Sequence, residues 1–172
     1  MSMNRSINLI LLGALFITLS ACSASPDFES YSGRNLDIAV IGEPPEVNED
    51  QVMFDEISFD VLSESIDSEY DAIFVMPENL NTASDEKYAD IYSITETPIF
   101  FITAKSHIPF TNIDTEYSDR WHWSPGENYA IGFVNQEDNV FRSFGFSIYN
   151  GEETPENIKE VYSRILTTIE SI

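Results

Sequence analysis

Three stretches of this chain are apolar almost without interruption: LDIAVIG at 36–42, DAIFVM at 71–76 and PIFFIT at 98–103. A strand with one face in water alternates apolar and polar residues. A run that does not alternate needs cover on both faces. Each stretch is too short for a stable helix, and breakers bound it: Gly42, Pro77 and Pro98. The segment between the second and third stretches reads as a helix. Ser84 stands as its N-cap, Asp85 and Glu86 lie in the first turn, where negative charge is favoured, and Tyr88, Ala89, Ile91 and Tyr92 face inward. Covered strands separated by helices define a parallel sheet with helices packed on it.

The flanks of this core read differently. EPPEVNEDQ, 43–51, is irregular, VMFDEI, 52–57, is a weaker strand, and SFDVLSESI offers a short helix capped by Ser58. Beyond the third run, NYAIGFVN and NVFRSFGFSIYN flank Gln136-Glu137-Asp138 and predict an antiparallel hairpin. Thr154-Pro155-Glu156 starts a helix on which Ile158, Val161, Tyr162, Ile165, Ile169 and Ile172 recur at helical spacing. The expected fold is α/β, a mixed sheet of about six strands, with three central parallel strands, an antiparallel hairpin at one edge and helices on the faces. This layout resembles the flavodoxin-like or receiver-like arrangement lacking its first helix. The nine residues of 43–51 are short for a helical crossover.

The first residues carry an address. Met1–Ser6 is polar with Arg5, Ile7–Leu19 is apolar, and Ser20, Ala21, Cys22, Ser23 and Ala24 are small. This is the three-part layout of a secretory signal, and its thirteen-residue apolar run is short for a spanning helix. Leu19-Ser20-Ala21-Cys22 resembles the lipobox of bacterial lipoproteins. The resemblance implies transfer of a diacylglycerol to the Cys22 thiol, cleavage before Cys22, and anchoring in the lipid bilayer at the outer face of the cell membrane. Cys22 is the only cysteine, so no disulfide or thiolate chemistry is expected. The expected division is a leader over 1–21, a lipidated cysteine and flexible tether over 22–35, and one acidic domain over 36–172. The body resembles small uncharacterised lipoproteins of low-GC Gram-positive bacteria, which implies no activity.

Thirty acidic residues against eight basic ones give a formal net charge of −22, and every acid lies beyond Cys22. Such a body repels nucleic acid, which is excluded as a partner. Aromatics at 13% separate it from a disordered acidic tail. An acid-rich, lysine-poor surface suits a medium of high salt or high pH, although some secreted domains are simply acidic.

The chain has no glycine-rich phosphate cradle after the first strand, no Gly-x-Ser-x-Gly elbow and no paired-histidine metal spacing. No cofactor or metal is therefore expected, and no aspartate ends a strand as receiver phosphorylation requires. In open α/β sheets ligands sit beyond the carboxyl ends of the strands. Those ends carry Glu43, Glu78, Lys105 and His107, and the expectation is one cleft walled by Trp121 and Trp123 of the long segment 105–127. Asp114, Glu116, Asp119 and Glu127 in that segment form a weaker oxygen-rich candidate for Ca²⁺, without EF-hand spacing. The function expected is a non-enzymatic binding or accessory module at the cell surface. The alternative is an enzyme using Glu43, Glu78 or His107 as acid–base groups on an envelope or external substrate, favoured if one polar pocket joins Glu78 and His107.

Overall fold

The computed structural model describes residues 28–47, 49–63, 69–112, 114–118, 128–136 and 140–172. The three apolar runs become the buried strands β1 (Leu36–Ile41), β3 (Ala72–Val75) and β4 (Ile99–Ile102), while VMFDE becomes β2 (Val52–Glu56). Asn128–Gln136 and Val140–Ser147 form β5 and β6. All six make one sheet in the order β2-β1-β3-β4-β5-β6. The pairs β1·β2, β1·β3 and β3·β4 are parallel, and β4·β5 and β5·β6 are antiparallel. The fold is therefore α/β with a mixed six-stranded sheet. The parallel part has four strands where three were expected, because β2 joins it at the outer edge. No helix is needed for this crossover: the irregular segment crosses one face with Val47 packed on the core. The first five positions keep the 2-1-3-4-5 order of the flavodoxin-like layout.

Each face of the sheet has its own core. On one face Leu36, Ile38, Val40, Phe74 and Phe100 meet Val161, Tyr162, Ile165 and Ile169 of the C-terminal helix. This helix spans Pro155–Glu170, and the Thr154 hydroxyl accepts the N–H of Asn157 at its start. Ile172, expected on its inward side, lies past its end and is exposed. On the other face Ile41, Ile73, Val75, Ile99, Phe101 and Phe133 are covered by the β2–β3 and β3–β4 connections and by the chain leaving β4.

Several local expectations change. Helix α1 (Leu80–Ala83) precedes α2 (Glu86–Ile94), and the N-cap of α2 is Asp85. Ser84 ends α1 instead: its hydroxyl donates to the Asn81 carbonyl and accepts the N–H of Tyr117. Tyr88, Ala89 and Tyr92 are buried as expected, and Ile91 is partly buried against the same core. The helix expected after Ser58 is a 3-10 turn at Val61–Ser63 as far as the described residues run.

Residues 28–35, expected to belong to a flexible tether, are packed on the body. Tyr31 is buried in the core beside the C-terminal helix. Ser163 donates to the Glu29 carbonyl, Gln51 donates to that of Tyr31, and the Phe28 ring meets Tyr149 edge-on at 5.5 Å. Arg34 pairs with Asp71 at 2.8 Å and gives its N–H to Glu170. The folded body thus includes residues 28–35, which lie before the expected boundary at 36.

Among the described residues three ion pairs involve lysine or arginine: Arg34–Asp71, Lys87–Asp85 and Arg164–Glu160. Against 30 acids these leave the body self-repulsive. Its melting temperature at neutral pH should rise as NaCl is added from millimolar to molar amounts, as scanning calorimetry would measure. A flat or falling curve would mean that bound cations or charge placement already compensate the acids.

Candidate functional site

The carboxyl ends of β1 and β3 meet at the switch point, where connections leave in opposite directions. Gly42 turns the chain here at φ +118°. Pro77–Asn79 forms a 3-10 turn over it. Glu78 accepts the N–H of Glu43 at 3.0 Å, the Asn79 amide donates to the Ile41 carbonyl at 3.2 Å, and Met76 N–H donates to the same carbonyl at 3.0 Å. Glu43 and Glu78 are therefore brought together as expected. The Glu78 carboxylate is bound to the backbone of the first loop, so the pair acts as a clasp on the end of β1.

His107 is carried elsewhere. After β4 the chain turns back under the sheet, and Phe110 of helix α3 (Ile108–Thr111) stacks on Phe101 with ring centroids 3.8 Å apart. This reversal places the His107 ring 5.6 Å from that of Phe141 on β6. Phe141 pairs with Asn135, five residues along β5 from Ala130, the partner of Ile102. Five strand residues span roughly 17 Å. His107 thus packs on β6, with β4 and β5 between that strand and the β1–β3 switch point that holds Glu43 and Glu78, and it does not join the cleft expected with them. Trp121 and Trp123, the expected wall, lie outside the described residues, as do Cys22, Asp119 and Glu127.

Burial holds the His107 imidazole below its ordinary pKa. The unfolded chain takes up this proton near pH 6.5 and the folded chain only at lower pH. The fold therefore loses stability as pH falls through the unfolded value. A His107→Phe variant, keeping a ring against Phe141, should lose less melting temperature than the native chain between neutral pH and mild acid. Parallel melting curves for the two proteins would show that this ring carries no such penalty.

Lys105 stands at a separate site on the carboxyl edge. A depression of about 310 Å³ is lined by Thr103 and Lys105 after β4, by Asn128 and Tyr129 opening β5, and by Ile148, Gly151 and Glu153 after β6. Three irregularities converge on it. Thr103 sits at φ +64°, a conformation costing about 1–3 kcal/mol for a branched residue, and its N–H is tied to the Tyr129 carbonyl at 2.6 Å. The β5·β6 register shifts between Asn128 and Ala130, and such bulges re-aim side chains at sheet edges. Asn150 and Gly151 turn the chain after β6 with positive φ.

Asn128 is the chemically telling residue. Its side chain lies over Gly145, and its exposure is 7%. Its Nδ2 is buried and has no hydrogen-bond partner among the described residues. An unsatisfied buried donor costs about 1–3 kcal/mol, so such a group calls for an acceptor. Burial, and then the charge of Glu153, push the Tyr129 hydroxyl above its ordinary pKa and keep it a proton donor. Sequence reasoning found Lys105 but missed Asn128, Tyr129 and Glu153. Asn128 opens an apolar strand, and its place beside Gly145 and Ser147 follows from the register shift in the β5·β6 pair.

A second hollow, of about 480 Å³, gathers Asp85, Glu86, Asp114 and Glu116. Asp114 and Glu116 of the expected Ca²⁺ loop thus face α2. Among the described residues no three acidic, histidine or cysteine side chains are grouped to hold a metal ion.

The fold and its edge define an acidic α/β domain with a small polar depression at the carboxyl end of β4, beside the start of β5 and the end of β6. The chain matches no family model, no curated protein and no solved structure.

Proposed function

We propose that this protein is a lipid-anchored extracytoplasmic lipoprotein whose acidic α/β domain is a non-enzymatic binding or accessory module at the outer face of the cell membrane. The observation that carries this reading is Leu19-Ser20-Ala21-Cys22 placed after an apolar leader and only six residues before Phe28, which packs on the domain at Tyr149. Six residues reach roughly 20 Å at full stretch, so the domain is held against the bilayer surface. Among the described residues no helix is long and apolar enough to cross a membrane.

A binding role is favoured over acid–base catalysis because the groups expected for catalysis are separated. Glu78 is engaged by backbone and His107 packs on β6. The open polar depression with its unsatisfied amide suits recognition of a small ligand. Mass spectrometry of the protein isolated from membranes tests the anchor. The mature chain should begin at Cys22 and carry the mass of a thioether-linked diacylglycerol. A mature chain beginning at any other residue, or an unmodified Cys22, would refute the lipoprotein reading.

A further inference from the structure

We propose that the depression at the carboxyl end of β4 is a binding site for a small zwitterion, with the ligand's oxyanion held by Lys105 and Asn128 and its ammonium held by Glu153. This rests on the reading of the domain as a binding module and names the chemistry of its ligand. Two features of the site call for an acceptor: the Lys105 ammonium and the buried Asn128 Nδ2, which has no partner among the described residues. Asn128 is 93% buried, given its 7% exposure, so water does not freely satisfy its amide, and the ligand's oxyanion engages Nδ2 once the side chain turns outward from Gly145. The Glu153 carboxylate lines the same hollow and calls for a donor. Ile148 and the Tyr129 ring supply the apolar wall.

Net charge selects among ligands that fit these groups. A chain of charge −22 repels a free anion before it reaches Lys105. A simple cation satisfies Glu153 but leaves the Asn128 amide without an acceptor. A molecule with one oxyanion and one ammonium satisfies both ends and carries no net charge. At about 310 Å³ the hollow is at the lower limit of ligand sites, which suits a molecule the size of an amino acid or a lipid headgroup.

The site also lies beside Phe28. β6 runs parallel to β4, since each is antiparallel to β5. Tyr149, directly after β6 and between the lining residues Ile148 and Gly151, holds the Phe28 ring. The edge bearing the hollow is therefore also the edge that holds Phe28, six positions beyond Cys22 in the sequence. A free amino acid and a zwitterionic headgroup share the required chemistry, and both reach this edge.

The test is a titration of the full chain in detergent micelles, followed through the side-chain amide resonance of Asn128, assigned by its loss in Asn128→Asp. The probes are L-alanine, glycerophosphoethanolamine, acetate and ethylammonium. Saturable shifts with L-alanine or glycerophosphoethanolamine are expected, and the probe that saturates identifies the source. Lys105→Met and Glu153→Gln should each weaken that binding about tenfold while leaving the melting temperature near that of the native chain. The proposal is overturned if neither zwitterion shifts the resonance at tens of millimolar, if acetate or ethylammonium alone binds as well, or if both variants bind like the native chain. A failed titration with a lipidated Cys22 leaves the anchored module standing with another partner. A saturating titration with an unmodified Cys22 leaves the site standing without the anchor.

Discussion

Cys22→Ala should move this protein from the membrane fraction into the soluble fraction completely. Each buried CH₂ of an acyl chain contributes ~0.8 kcal/mol, and two chains on one residue make detachment negligible on the time of a fractionation. Cys22 is the only cysteine, so no other thiol can take the thioether. The acidic body adds no compensating attraction to an anionic bilayer, since like charges repel. The variant should also lose incorporation of labelled palmitate. Membrane partition of Cys22→Ala, or a native chain that takes up no label, would show that the anchor lies elsewhere. The packed segment 28–35 should be unaffected, because its bonds to Ser163, Asp71 and Glu170 do not involve the lipid.

The second large effect concerns Gly42. Alanine there should destabilise the domain by about 3 kcal/mol, combining backbone strain with a clash. At φ +118° a side chain is strained whatever the surrounding space. Space is also missing. An added Cβ meets Glu78 Oε1 at 2.3 Å, Met76 Cβ at 2.7 Å and Asn79 Nδ2 at 2.8 Å. The melting temperature should fall by roughly 10 °C in a domain of this size. The double variant Gly42→Ala, Glu78→Ala separates the causes. It removes the carboxylate but keeps φ and the Met76 Cβ, and it leaves the Glu43 N–H without its acceptor, so little stability should return. Full recovery in the double variant would make the Glu78 contact the whole effect. A Gly42→Ala protein melting with the native chain would mean that the turn relaxes freely.

The same clasp shows how far the site was legible. Glu43 and Glu78 were legible as residues at the carboxyl ends of two parallel strands, and the Glu78 carboxylate does meet the Glu43 N–H. Their partners were not legible, since the 3-10 turn that swings Glu78 onto the Glu43 N–H forms only when β1 and β3 are side by side. His107 failed for a related reason. Residues 103–107 contain nothing that states in which direction the chain leaves β4. The direction follows from burial of Phe110 against Phe101 and Phe133, residues that become neighbours only in the finished sheet. The segment 28–35 looked like a tether because it is short, polar and aperiodic. Its order comes from Tyr31 and from bonds to residues more than a hundred positions away.

What the sequence by itself determined is what local pattern encodes. Uninterrupted apolar runs with breakers at their ends specify strands covered on both faces, and helical spacing from Ile158 to Ile169 specifies the C-terminal helix with its Thr154 cap. The half-exposed β2 was read weakly because an edge strand needs fewer apolar positions, and its pairing with β1 depends on a crossover too short to hold a helix. Only the tertiary structure decided which polar groups share a space. Asn128 lies twenty-three residues from Lys105 and twenty-five from Glu153, and a bulge, a strained threonine and a left-handed turn bring the three together. Burial energy selects the sheet, and the sheet then imposes those irregularities at its edge, where no repeating pattern in the chain records them.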